Sequence, residues 1–221
     1  MQNLKQLYAI AAKRKGGSKA LEKELPEVKT PRQLAKITDD RWLSMMSKRI
    51  FQAGFNWTVV ENKWPAHEVA FFKFNPNKCA FMSDEVIDKL ARDASIIRNR
   101  TKIAAVRDNA AFLVNLAKQH GSAATCFANW PQDDLVGLLE LMAKQASRLS
   151  GNTAQYVLRS MGKDSFVLTD DVSTALIREA VVSKKPSSRK DMAAVQAAFN
   201  KWQAESDRPF AHISRILAFT V

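Results

Sequence analysis

The chain has 221 residues and a net charge of +12, from 34 Lys+Arg against 22 Asp+Glu. A hydrophobic content of 46% with 25% charged residues supports a packed core and excludes a disordered chain, while seven Gly and seven Pro are too few for the many tight turns of a β-sandwich. No apolar run reaches the ~18 residues of a membrane span, and the basic balance calls for a polyanionic partner, nucleic acid before an anionic membrane surface.

In chain order, "NLKQLYAIAAKRK" has helical spacing and ends at "GGS". "SKALEKEL" forms a second helix closed by Pro26. "TPRQLAKI" starts a third, with Thr30 as N-cap and Pro31 at the first helical position. "TDDRWLSMMSKRIFQAG" runs from a capping Thr38 or Asp39 to Gly54, its stripe set by Trp42, Met45, Met46 and Ile50. "NWTVVENKW" resumes as helix behind Asn56, and Pro65 opens a further one. "NPNKCAFM" is a turn with a short helix, and Ser83 starts "SDEVIDKLARDA". A turn at "SIIRNR" leads into a long helix that stops at Gly121. Helices follow over "QDDLVGLLELMAKQASRL", "GNTAQYVLRSMGK", "DDVSTALIREAVV", "KDMAAVQAAFNKWQAES" and "PFAHISRILAFTV". "DSFVLT" is the one extended run and "SKKPSSRK" a basic loop. The expectation is an all-α protein of roughly ten short helices with little or no sheet. It divides into a basic helical extension, residues 1–38, and a main helical region, residues 39–221.

Cys79 and Cys126 stand apart from each other and from His67, His120 and His212. That spacing fits neither a zinc site nor a disulfide framework, so no metal or cofactor is expected, and two isolated thiols suit a reducing cytoplasm. The opening residues have too short an apolar run for a signal peptide.

Three phrases carry more information than composition: "QAGFNWTVV", "FFKFNP" and "LARDASIIRNRTKIAAVRDNAAFL". In order and spacing they resemble the DNA-3-methyladenine glycosylase I family of the helix-hairpin-helix glycosylase superfamily, whose pattern is close to "QAGLSWxTVL", "F..FDP" and "DAGIIRHRGKIxAxxxNA". Residues 39–115 carry the resemblance, with a weaker echo in "LRSMGKDSFVLTDDV". It implies a helical, monomeric DNA glycosylase of base-excision repair. Such an enzyme flips a damaged, alkylated purine such as 3-methyladenine out of double-stranded DNA and hydrolyses its N-glycosidic bond.

The resemblance also implies roles. Gly54 and Phe55 fall on the turn that enters the gap left by the flipped base, with Phe55 where the family has a Leu. Phe55 is then the plug, unless it is a core aromatic closing the turn. Trp57 aligns with the Trp that stacks on the extruded base, and a structural Trp on a core face is the other reading. Gln52 and Arg49 complete the base pocket. Arg49 takes the place of a family Glu, a reversal that turns a site for a cationic base into one that repels it. Arg98, Asn99, Arg100 and Lys102 form a basic turn placed to grip the DNA backbone, or else simply a solvated one. In the wider superfamily an Asp at a helix start supports the sugar cation. Asp170 and Asp171 are the catalytic candidates by that analogy, with Asp164 behind them, although Asp at a helix start is also an ordinary cap. The family's zinc ligands have no counterparts, so the two termini are expected to replace that clamp by packing. Two rival readings remain: a non-catalytic DNA-binding or lesion-sensing protein on the same scaffold, and a helical interaction protein made soluble by its charge.

Overall fold

The computed structural model describes residues 1–221, all as helices, turns and irregular segments with no strand. Fourteen α-helices occur where roughly ten were expected, among them a short one, Ala123–Asn129, that no expected segment covers. "DSFVLT" joins no sheet, and its Val167 and Leu168 amides donate instead to the Ser214 and Gln155 side chains. Most helices begin on a polar cap. Asn3, Thr30 and Ser188 form reciprocal capping boxes with the residue three positions on.

Four helices position the site. α4 (Asp39–Gln52) buries Trp42, Leu43, Met46 and Ile50 at helical spacing and ends at Ala53. α5 (Trp57–Ala70) starts on Asn56, whose side chain accepts from the backbone amides of Thr58 and Val59, and continues through Pro65 without a break. The expectation that Pro65 opens a new helix is therefore corrected. α8 (Arg100–His120) is capped by Asn99 and stops at Gly121, whose φ of +82° suits glycine. α11 (Asn152–Met161) follows Gly151. α4 lies at the centre and packs against α5, α8 and α11.

The expected boundary at residue 38 does not divide the core. One cluster of 56 buried residues runs from Leu4 to Leu217 and includes Leu7, Leu21 and Leu34 from the N-terminal stretch. α1 (Leu4–Arg14) packs on α13 (Arg189–Ser206) and α14 (Phe210–Ala218). α3 (Pro31–Ala35) packs on α9 (Ala123–Asn129), a helix the sequence pattern did not single out. Apolar contact between the ends is reinforced by polar ones. The Trp202 indole N–H donates to the Gln2 carbonyl at 3.0 Å, the Gln2 amide donates to Glu179 at 2.8 Å, and Arg208 pairs with Glu22 at 2.7 Å. No helix is long and apolar enough to cross a membrane.

Candidate base pocket and DNA-facing turn

α4 and α5 meet at the turn Ala53–Asn56. Gly54 has φ +68°, a conformation that L side chains rarely adopt, and this sharp corner projects Phe55 outward. Phe55 is 46% exposed and Trp57, the first residue of α5, is 50% exposed. Neither ring is a core aromatic, which removes the packing alternative for both.

Behind the turn lies a cavity of about 240 Å³ lined by Arg49, Gln52, Gly54, Trp57 and Tyr156, with Asn152 and Thr153 at the start of α11. Trp57 and Tyr156 meet edge to face, ring centroids 6.2 Å apart. The Arg49 guanidinium sits against both, 5.1 Å from the Trp57 ring and 5.6 Å from that of Tyr156. Arg49 Nε and Nη2 donate to Ser160 Oγ at 3.1 and 2.6 Å, and Nη1 donates to Gln52 Oε1 at 2.9 Å. Gln52, only 3% exposed, passes the chain on by donating to Glu61 at 2.9 Å, and Glu61 pairs with Lys48 at 3.0 Å. Burial holds Arg49 below the ordinary arginine value, against the opposing pull of Glu61 and Tyr156.

The methyladenine glycosylase family model matches residues 34–169, more than half of the chain and the whole of this pocket. The chain belongs to the methyladenine glycosylase family. Within that family, the DNA-3-methyladenine glycosylase 1 of Escherichia coli (strain K12) is 42% identical over 59 residues, which are 27% of this chain and 32% of the relative. The DNA-3-methyladenine glycosylase of Haemophilus influenzae is 37% identical over 59 residues, with the same shares. The chain thus spans about a third of the length of these curated relatives. A crystal structure of 3-methyladenine DNA glycosylase I superimposes with a TM-score of 0.50 at 22% identity, covering 63% of this chain and 83% of that one. The Staphylococcus aureus enzyme gives 0.50 at 20% identity, covering 57% and 77%. These likenesses carry the methyladenine glycosylase fold, an all-helical one.

Of the residues this family suggests, Arg49, Gln52, Gly54 and Trp57 share one cavity and Phe55 stands on the turn beside it. The basic turn is less uniform than its sequence. Arg98 is exposed, and Arg100 pairs with Asp88 at 2.7 Å. The Asn99 side chain accepts from the Lys102 amide as the cap of α8. Lys102 departs from the expected backbone grip. It is 7% exposed, and its ammonium donates to the carbonyls of Phe51 at 3.1 Å and Ala53 at 2.7 Å. A cation at the C-terminus of α4 satisfies carbonyls that the helix leaves free. Burial, with the nearby Arg148 charge, holds Lys102 below the usual lysine value. Lys102 therefore fastens the plug turn from beneath, its ammonium 5.8 Å from the Phe55 ring centre.

The expected carboxylates are not brought to the pocket. Asp170 and Asp171 open α12 (Asp170–Arg178) behind the capping Thr169, and neither lines the cavity. Asp170 pairs with Lys185, at the edge of a separate cavity of about 290 Å³ between α10 (Leu135–Gln145), α11 and residues 185–189. Asp164 caps α14 from a distance, accepting from the amides of Phe210 at 3.1 Å and Ala211 at 2.8 Å. Burial raises its carboxyl and those two bonds oppose the rise.

No three His, Cys, Asp or Glu side chains stand close enough to hold a metal ion. The family's zinc does not fit the residues present: burial pushes the Cys79 thiol up to about 12, and its sulfur lies 3.2 Å from the Phe71 carbonyl. Sequence reasoning missed Tyr156 and Ser160. Their signal was the i, i+4, i+8 spacing of Asn152, Tyr156 and Ser160, a polar and aromatic row on a helix whose other face is apolar.

Proposed function

We propose that the protein is a DNA glycosylase that flips a damaged purine out of duplex DNA and hydrolyses its N-glycosidic bond in base-excision repair. The observation that carries this reading is the joint placement of an exposed Phe55 on a tight glycine turn and a half-exposed Trp57 at the mouth of a small aromatic cavity. A flipped base needs both a receptor for its ring and a side chain to fill the hole it leaves. At about 240 Å³ the cavity is below the ~300–1,000 Å³ of sites for drug-sized ligands, so it suits a single base rather than a whole nucleotide. Arg98, on the exposed turn before α8, and Arg100, the first residue of that helix, are assigned to the phosphate backbone. Replacing Arg98 with Ala should lower the slope of log affinity against log salt by about one unit.

The second reading, a non-catalytic lesion sensor, is favoured by one observation: no carboxylate lines the cavity. The deciding experiment incubates the protein with duplexes carrying single modified purines and measures free base by chromatography. Release of base supports the glycosylase. Tight, salt-sensitive binding without release, across a panel of alkylated and deaminated purines, leaves the sensor.

A further inference from the structure

We infer that Arg49 makes this pocket a reader of neutral bases bearing a hydrogen-bond acceptor, the deaminated 6-oxopurines first among them, and a barrier to cationic ones. The inference rests on the base-pocket reading above and names its substrate class.

What surrounds the Arg49 guanidinium decides how its charge acts. Every group bonded to it is neutral: the Ser160 hydroxyl at two donors and the Gln52 amide oxygen at a third. The Ser160 hydroxyl is itself committed as a donor to the Tyr156 carbonyl at 2.6 Å, so its oxygen can only accept from Arg49. The nearest acid in the network, Glu61, is spent on Gln52 and Lys48. No carboxylate pairs with Arg49, and the rings of Trp57 and Tyr156 hold it in place without cancelling its charge. The cavity therefore carries a positive charge on its wall. Three of the five guanidinium N–H groups are used, leaving one on each terminal nitrogen. The Gln52 amide likewise keeps one N–H beyond its bond to Glu61. The polar wall offers donors, and its complement is an acceptor edge.

This charge acts differently on two kinds of base. A neutral 6-oxopurine leaves when the bond between sugar C1′ and base N9 breaks and the electron pair stays with the base. The base becomes an anion and takes a proton from solvent. Water adds to C1′ and releases its own proton, giving free base and an abasic sugar. Negative charge grows on the base along this path, so a fixed cation facing it stabilises the transition state more than the ground state. A cationic N-alkylpurine departs as a neutral molecule. For it the same cation opposes entry into a partly desolvated site, and bond breaking only relieves that repulsion without turning it into attraction.

The test uses the full chain, wild type and the variants Arg49→Gln, Arg49→Glu and Arg49→Lys. The first readout is the ratio of hypoxanthine to 3-methyladenine released from duplexes carrying one or the other. The expected ratio falls by about tenfold or more in Arg49→Gln, the loss of one charged donor, falls further in Arg49→Glu, and is largely kept in Arg49→Lys. A ratio unmoved in a folded Arg49→Glu protein overturns the inference and leaves the glycosylase intact. The second readout needs no catalysis: fluorescence titration with 9-methylhypoxanthine, which is neutral, and 3,9-dimethyladeninium, which is permanently cationic, using Trp57→Phe to identify the signal from the pocket. Wild type should prefer the neutral ligand, and Arg49→Glu should reverse the order. A wild-type preference for the cation overturns the inference even if every variant fails to fold. An Arg49-dependent preference without release of any base sustains it while removing the catalytic reading.

Discussion

Residues 34–169 supply the whole lining of the base cavity, and the flanking stretches supply none of it. The flanks, residues 1–33 and 170–221, find their main partners in each other. α1 lies on α13 and α14, Arg208 reaches Glu22, Arg215 reaches Glu24, and the His212 ring lies 3.0 Å from the Pro26 carbonyl. Trp202, Phe199 and Phe210 form a buried aromatic group at this seam, joined by Phe166 from the matched stretch. The difference is one of chemical tolerance. Closing a helical bundle requires only apolar surface of the right volume, which many sequences provide. Holding one base requires a ring, a donor and a turn at fixed positions. The flanks here are held to each other by apolar packing and ion pairs.

The sharpest way to break this comparison is Trp202→Ala. The indole is fully buried, so its loss should cost about 3–5 kcal/mol, read as a lower urea midpoint. Base release per folded molecule should not change. A fall in release beyond the fraction unfolded would mean that the flanks shape the cavity as well as close the fold.

Lys102→Met tests the opposite side. It leaves the carbonyls of Phe51 and Ala53 without their buried donor, at about 1–3 kcal/mol. Because those carbonyls lead into Gly54, affinity for an abasic duplex should fall together with stability. Unaltered abasic binding would show that the turn keeps its shape without the lysine.

Acid should loosen the matched stretch through His67. Its Nδ1 lies 2.8 Å from the Lys63 carbonyl and its Nε2 accepts from the Ile97 amide at 3.3 Å, an arrangement that needs the neutral ring. Burial, the largest influence, holds its pKa below the ordinary 6.5. In the unfolded chain the ring takes a proton near 6.5, and in the folded protein it does so only at lower pH. Stability is therefore intact above that value and falls as pH drops towards the folded pKa. A series of urea titrations at decreasing pH should show the decline, and His67→Gln should flatten it.

Phe55→Ala should have the smallest effect on stability, under about 1 kcal/mol, since the half-exposed ring loses little beyond its weak contact with the Lys102 ammonium. It should nonetheless weaken binding to an abasic duplex more than to an intact one. Equal weakening of both would remove the plug role and retain Phe55 only as general DNA contact.

Local signals in the sequence were good guides where one residue decides a local conformation. Thr30, Ser83 and Asn56 cap the helices that their positions announce, and Gly54 and Gly121 mark the turns. Long-range use of a polar group left no such mark. Asp39 looks like a cap for its own helix, yet its carboxylate accepts from the amides of Ala123 and Ala124 at 3.0 and 2.9 Å. Asp164 resembles a catalytic acid until α14 is folded against it. Lys102 reads as part of a basic run, because burial of a lysine depends on carbonyls fifty residues away and not on its neighbours. The pocket was visible on its α4 and α5 side through a motif. On its α11 side it was visible only as a faint helical row, since Tyr156 and Ser160 gain meaning from Arg49 across the groove.

The seam between the chain ends also sets an order of events. The Trp202 indole and the Gln2 carbonyl that it meets are 200 residues apart. During synthesis, at ~5–20 residues per second, α1 emerges long before either helix that covers it. Until then its Leu4, Leu7 and Ala11 face has only the short helix 18–23 as native cover, and closing so long a loop brings its entropic cost before the long-range contacts repay it. The docking of α1 onto α13 and α14 is thus a late native contact, and a nascent chain stalled before residue 189 leaves the side of α1 that those helices cover open to chaperones.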